Sequence, residues 1–396
     1  MLILGIETSC DETGVAIVEG NKKSKKVKLL SNALASSLPL HSKSGGIIPE
    51  SAAREQIKFI IPTLKQALSD ADVSMKHIDA FAVTFGPGLI GSLLIGVETV
   101  KTLSYIYKKP LIPTNHLLGH IYANFIEQQA ESRGVVREEG IPTARRRVTI
   151  VDEHWREGER ATGPRANIDF PAIGLIVSGG HTDLILMEKH GRLKWLGGTR
   201  DDAAGECFDK CARLLGYNYP GGPRIAELAK SGDPTAFSFP RPMLRSHDFE
   251  FSFSGLKTAF LNETKQRFPI LRTGDKKIGW DQIALKEQLK NPHIRTLYDL
   301  CASLQQAIID VLIKKTMKAA EKYSARSILL GGGVAANQKL RDELQSSIIN
   351  HKSSIRFFAP AKNLCTDNGA MIAAAAFYNY QPTGWQKVDA NPSLYF

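Results

Sequence analysis

With 396 residues, 43% hydrophobic and 23% charged, the chain has a globular composition, which excludes a low-complexity or fibrous class and is too long for one simple core, so two lobes are expected. Lys+Arg 51 against Asp+Glu 40 leaves +11 at a pI of about 9.3, a balance that suits a polyanionic partner such as RNA and equally a solvated basic surface. Five scattered cysteines (Cys10, Cys207, Cys211, Cys301, Cys365) argue against a disulfide framework and for a reducing compartment.

Residues 2–6 read as a strand with no basic or apolar leader before it, and no apolar run approaches membrane-spanning length, so a cytoplasmic location is expected. Strands at 15–19 and 27–33 follow the turn Glu7-Thr8-Ser9-Cys10-Asp11-Glu12-Thr13-Gly14. Pro49 and Glu50 open a helix that Ile57, Ile60, Ile61, Leu64 and Leu68 carry to about residue 68. A buried strand at 80–84 passes through Gly86-Pro87-Gly88 into a helix over 89–107. Residues 127–169 mix arginines with acids without apolar periodicity and read as an inserted, largely flexible loop. The second half repeats the order: strand 172–177, turn Ser178-Gly179-Gly180, strands 183–188 and 193–196, then helices. A second excursion over 267–295 precedes a long amphipathic helix at 296–322, a strand at 327–330, the turn Gly331-Gly332-Gly333 and a helix over 334–349.

His116 and His120 stand one helical turn apart, so a helix aims both imidazoles at one point, half of a metal site. Asp367, at a loop-to-helix junction in Leu364-Cys365-Thr366-Asp367-Asn368-Gly369-Ala370, completes a two-His, one-carboxylate set if the two segments meet. The competing reading is a packed or surface histidine pair. Leu117 follows His116, so the glutamate base of H-E-x-x-H peptidases is missing. Ser178-Gly179-Gly180 reads as an anion nest or an ordinary hairpin turn, and a second glycine-containing turn in the matching place of the other lobe favours binding. Asn337 bonds a base or ribose, or is a polar surface residue. Asp209 and Gly222 bracket a ribose, or Asp209 pairs with Lys210 or Arg213 on a helix surface. Gly86-Pro87-Gly88 lacks the Lys-Ser/Thr pair of a P-loop and reads as a packing turn. Glu7, Asp11 and Glu12 orient a metal or take a proton, or serve turn chemistry. Cys207 and Cys211, at helical spacing, read as packing residues because two thiols do not close a zinc site.

Taken together, Gly5 to Thr13, Gly45-Gly46-Ile47-Ile48-Pro49-Glu50, the Gly86 loop, Asn115 to His120, Val177 to Thr182, Gly205 to Lys210, Phe251-Ser252-Phe253-Ser254-Gly255-Leu256-Lys257, Gly331 to Asn337 and Cys365 to Gly369 resemble the universal tRNA threonylcarbamoyladenosine transferase family, in its bacterial form. The resemblance implies an α/β, two-lobed actin/hexokinase/Hsp70-like (ASKHA) fold of duplicated ribonuclease H-like lobes. It suggests an N-terminal lobe over 1–126, an insertion over 127–170, and a nucleotide-binding lobe over 171–396 whose last helix packs back on the first. It also implies transfer of threonylcarbamoyl from threonylcarbamoyl-AMP to N6 of the adenosine 3′ of the anticodon in tRNAs reading ANN codons. One divalent metal, Fe(2+) or else Zn(2+), falls on His116, His120 and Asp367. The adenylate contacts fall on Ile176, Val177, Ser178, Gly179, Gly180, Asp209, Gly222 and Asn337, and Asp11 matches a carboxylate of the transfer step. The partners implied are tRNA and the helper proteins TsaB and TsaE, with TsaC supplying the adenylate. Leu118 departs from the glutamate of many relatives, and the 127–169 segment is longer than the family norm. The alternatives are a metal-dependent sialoglycopeptidase, an ASKHA-type small-molecule kinase, and a non-catalytic nucleotide-binding scaffold.

Overall fold

An unbroken apolar run makes β1 (Leu2–Glu7) a central strand, buried from Ile3 onward. It pairs antiparallel with β2 (Glu12–Asn21), which pairs antiparallel with β3 (Lys26–Ser36). α1 (Pro49–Asp70) begins on a proline that fits the first helical turn, where its missing N–H costs nothing. β4 (Ala80–Gly86), α2 (Ile90–Tyr107), β5 (Leu111–Asn115), α3 (His116–Tyr122) and the short β6 (Ile126–Glu127) complete the first lobe. Its sheet runs β5-β4-β1-β2-β3-β6, with β4 parallel to β1 and β5 parallel to β4. The structure, a computed structural model, describes residues 1–37, 41, 47–127, 168–268, 294–351 and 354–395. The expected insertion at 127–170 and the excursion at 267–295 fall almost wholly outside the described residues, as do Gly45 and Gly46.

The second lobe contains β7 (Ala172–Val177), β8 (Thr182–Lys189), β9 (Arg192–Gly198), α4 (Ala204–Leu214), α5 (Gly222–Ala229), α6 (Ser254–Arg267), α7 (Ile294–Lys322), β10 (Ser327–Gly331), α8 (Gln338–Asn350), β11 (Arg356–Phe358) and α9 (Gly369–Tyr378). Its sheet order is β11-β10-β7-β8-β9, antiparallel from β7 through β9 and parallel from β7 to β11. That is the order and polarity of β5-β4-β1-β2-β3, so the lobes repeat one ribonuclease H-like topology in the two-lobed ASKHA arrangement.

Two short helices fill the space between the sheets. α9 carries Gly369, Ala370 and the run Ala373 to Ala376, which lets its backbone lie against β1: a Cβ on Gly5 would stand 2.4 Å from the Gly369 carbonyl oxygen and 2.7 Å from the Ala373 nitrogen. Leu117 and Ile121 of α3 join Ala370, Ile372 and Ala374 of α9 in one core with Ile3 of β1 and Ile176 of β7. The helix that carries the paired histidines and the helix that starts just after the distant aspartate are therefore packed into the junction of the lobes.

Two expectations are corrected. The helix expected over 334–349 is broken: Gly333–Ala336 is a 3-10 turn and α8 starts only after Asn337, which caps it. A run long and apolar enough to cross a membrane does exist, α7, and it lies in the core of the second lobe, where Leu297, Leu304, Ile308 and Leu312 are fully buried.

Candidate metal centre

β5 ends on Asn115, whose side-chain oxygen accepts the N–H groups of Leu117 and Leu118 and so starts α3 at His116. Starting there puts His116 and His120 on one face, ring centroids 4.7 Å apart. Across the junction, Asn368 caps α9 by accepting from the Met371 N–H, which fixes Asp367 at the residue before the cap. Asp367 Oδ1 lies 3.6 Å from His116 Nε2 and 3.3 Å from His120 Nε2. One ligand atom from each of the three residues lies within 4.8 Å of the others. Nδ1 of His120 is buried without a partner, and its buried Nε2 meets the Asp367 carboxylate at 3.3 Å without a well-formed hydrogen bond, an arrangement that is costly unless something else satisfies the ring. A divalent cation suits these ligand atoms, since two imidazoles with one carboxylate is a donor set such ions accept with positions left open.

The electrostatics follow from the same contacts. Burial works against a charged His116, but the carboxylates of Glu7 and Asp367 overcome it and raise its pKa to about 9. Burial likewise works against ionised Asp367, and the imidazoles of His116 and His120 hold it below the usual carboxylate range. Cys10, Asp11 and Glu12 line the same wall. Burial and then Asp367 push both Asp11 and Glu12 upward, and burial followed by Asp11 raises the Cys10 thiol. Glu12 carries a buried Oε2 without a partner.

The residues expected to contact the adenylate begin at the end of β7. Ile176 and Val177 are fully buried, so within that stretch only their backbone can meet a ligand. Ser178 N–H donates to the His181 carbonyl and His181 N–H donates to Ser178 Oγ, closing a tight turn. Nothing lies within 4 Å of where a Cβ would sit on Gly179 or Gly180, and both glycines are exposed. Behind the turn the packing is close. A Cβ on Gly205 would come 2.4 Å from the Ser178 carbonyl oxygen, one on Gly332 (φ +90) 2.4 Å from that of Val177, and one on Gly331 2.7 Å from that of His120. Gly331 thus sits directly against the helix that carries the paired histidines, and Gly205 and Gly332 pack behind the Ser178 turn.

Asp209 does not pair with Lys210, which binds Asp202 and Glu206 instead. Its Oδ1 accepts the N–H groups of Gly221 and Gly222, leaving Oδ2 as a further acceptor beside Gly222. Asn337 is more committed than a free ligand contact: Oδ1 accepts from Leu340 N–H and Nδ2 donates to Gln305. Two residues escaped the sequence reading. The His181 ring lies 6.2 Å from that of His116, and burial together with the two neighbouring imidazoles lowers its pKa to about 3. The Tyr219 phenol is pushed upward by burial and then by Asp11 and Asp209, which places it between carboxylates of both lobes. The only signals were positional: His181 directly follows the Gly179-Gly180 pair, and Tyr219 precedes Pro220-Gly221-Gly222.

Comparison with known proteins agrees with this geometry. The family described as TsaD: tRNA N6-adenosine threonylcarbamoyltransferase matches residues 28–135 and 157–374. The tRNA N6-adenosine threonylcarbamoyltransferase of Syntrophomonas wolfei is 41% identical over 395 residues, covering 99% of this chain and 97% of its own. That of Thermomicrobium roseum is 44% identical over 380 residues, 96% of this chain and 92% of its own. HypF of T. kodakarensis superposes with a TM-score of 0.52 at 12% identity, over 97% of this chain and 47% of its own, a likeness of fold alone. Matched along nearly its whole length, the chain belongs to the tRNA N6-adenosine threonylcarbamoyltransferase family.

Proposed function

We propose that this chain transfers the threonylcarbamoyl group from threonylcarbamoyl-AMP to N6 of the adenosine 3′ of the anticodon in tRNAs reading ANN codons. The observation that carries the reading is the convergence of His116, His120 and Asp367 beside the open Ser178-Gly179-Gly180 turn in a chain of this family. The exposed Gly179 and Gly180 backbone is suited to the adenylate phosphate, and Oδ2 of Asp209 beside Gly222 to ribose hydroxyls. A divalent ion on His116, His120 and Asp367, Fe(2+) first and Zn(2+) second, would supply Lewis acidity toward the acyl phosphate oxygens. The adenosine N6 forms its bond to the carbamoyl carbon as the bond to the phosphate oxygen breaks, and AMP leaves with that electron pair. The N6 proton passes to Asp11, a carboxylate held above its ordinary range by burial and by Asp367. An exocyclic base amine is a poor nucleophile, so positioning and leaving-group stabilisation carry most of the rate. The expected setting is cytoplasmic, with TsaB and TsaE as helpers and TsaC as the source of adenylate.

The test is reconstitution with tRNA, threonylcarbamoyl-AMP and the helper proteins, followed by digestion and detection of the modified nucleoside by mass. The double variant His116→Ala, His120→Ala should lose bound metal and at least about 10-fold of activity, the lower bound set by what loss of a mere outer partner costs. Wild-type product from that variant defeats the metal assignment. Chelator-sensitive peptide cleavage without nucleoside product would replace the reading with a peptidase, although α3 carries no carboxylate to act as its base.

A further inference from the structure

We infer that Glu7 is a positioning residue of the metal centre: its carboxylate holds His116 as the Nδ1–H tautomer and so presents Nε2 to the cation. Glu7 is the last residue of β1 and is fully buried. Its Oε2 lies 3.1 Å from His116 Nδ1 and also accepts the hydroxyl of Thr84 on the neighbouring β4, while Oε1 accepts the Ser9 N–H. A carboxyl group receiving donors on both oxygens is an acceptor, so the proton shared with His116 sits on Nδ1. The Ser9 hydroxyl, 3.1 Å from the same nitrogen, reinforces this because its oxygen can accept as well. With Nδ1–H held by Glu7, Nε2 is the nitrogen that gives up its proton to offer a lone pair to a cation, on the side where Asp367 Oδ1 lies 3.6 Å away.

His120 shows what the arrangement does. Its Nδ1 is buried with no partner, so among the described residues no anchor holds the ring through the nitrogen turned away from Asp367. Orientation of the pair therefore rests on the Thr84–Glu7–His116 chain. Metal-binding histidines are commonly anchored through their second nitrogen by a carboxylate, and removing such an anchor weakens metal affinity about 10- to 100-fold. Glu7 also lies on the first strand of one lobe, so it couples that lobe's sheet to a site closed by a residue, Asp367, of the other.

This inference rests on the metal reading of His116, His120 and Asp367, and the experiment separates the two. Co(2+) is titrated into metal-free protein, with affinity taken from competition against a chelator and coordination from the visible d–d bands. Glu7→Ala should weaken Co(2+) binding about 10- to 100-fold and alter the band envelope, and Glu7→Gln, which keeps an acceptor, should recover part of both. Thr84→Val leaves Glu7 in place without its hydroxyl donor and should shift affinity in the same direction by less. It carries the test if Glu7→Ala does not fold by circular dichroism. Wild-type affinity and spectrum in Glu7→Ala, or in Thr84→Val should Glu7→Ala not fold, with binding lost in His116→Ala, overturns the role of Glu7. Unchanged binding in His116→Ala overturns the metal reading itself.

Discussion

Burial alone pushes an imidazole toward neutrality, and His116 and His190 show how neighbours decide the outcome. His116 lies between Glu7 and Asp367 and is carried up to about 9 against its own desolvation. His190 stacks on Tyr378 at 4.5 Å and on Tyr122 at 5.6 Å and meets the Tyr122 hydroxyl at 3.1 Å. Burial, with a smaller push from Lys25, lowers its pKa from 6.5 to about 4. The folded protein thus keeps His190 neutral where the unfolded chain takes up a proton, so the unfolded state binds more protons and stability falls as pH drops from about 6.5 toward about 4. His190→Phe should flatten that component of the urea-unfolding profile across the window, and an unchanged slope would contradict the assignment. Residue chemistry was the most legible level of the sequence, since paired histidines at helical spacing are a local pattern. The partner roles of His181 and Tyr219 were not legible, because they arise from residues far away in the chain.

At the scale of elements, α9 matters because its cap presents Asp367. The helix approaches β1 through Gly5 and Gly369, where an added methyl on Gly5 meets backbone at 2.4 Å and 2.7 Å and cannot rotate away. Gly5→Ala should therefore cost about 1–3 kcal/mol, as overpacking does. Since Asp367 stands just before the Asn368 cap of that helix, displacing the helix should also weaken metal binding. A urea midpoint at wild-type level would show that the contact yields more easily than the packing implies. Most strands were readable from alternation or continuous apolar runs. The break at Asn337 was not: a 3-10 turn and an α-helix share near-neighbour apolar spacing, so the pattern runs on while the Asn337 backbone N–H closes one element on the Val334 carbonyl and its side chain caps the next. α7 misleads in the other direction, since length and composition do not distinguish a core helix from a membrane span.

The whole molecule is held across its cleft by the C-terminal segment as well as by the junction helices. Asn391 N–H donates to the Phe85 carbonyl beside the Gly86 loop of the first lobe. A few residues on, the Tyr395 hydroxyl donates to Asp183 Oδ1 of the second lobe at 2.7 Å, next to Trp195 Nε1 at 3.0 Å. Asp183 is buried, so loss of one donor leaves it less well satisfied. Tyr395→Phe should lower stability by about 1–3 kcal/mol and speed amide hydrogen exchange in β8 and in the Gly86-Pro87-Gly88 loop together. Faster exchange in one lobe only would show that the segment does not link them.

By itself the sequence determined the local chemistry: a helix aiming two imidazoles, a carboxylate poised before a second helix, glycine turns open to a ligand, and a repeated order of elements. Those follow from spacing, capping and turn preferences, which act over a few residues. Only the tertiary structure decided that Asp367 meets His116 and His120, that Glu7 stands behind His116, and that Asn337 is tied to Gln305. Each joins segments far apart in the chain, and such distances are set by how two sheets close on the helices between them, which no local pattern encodes.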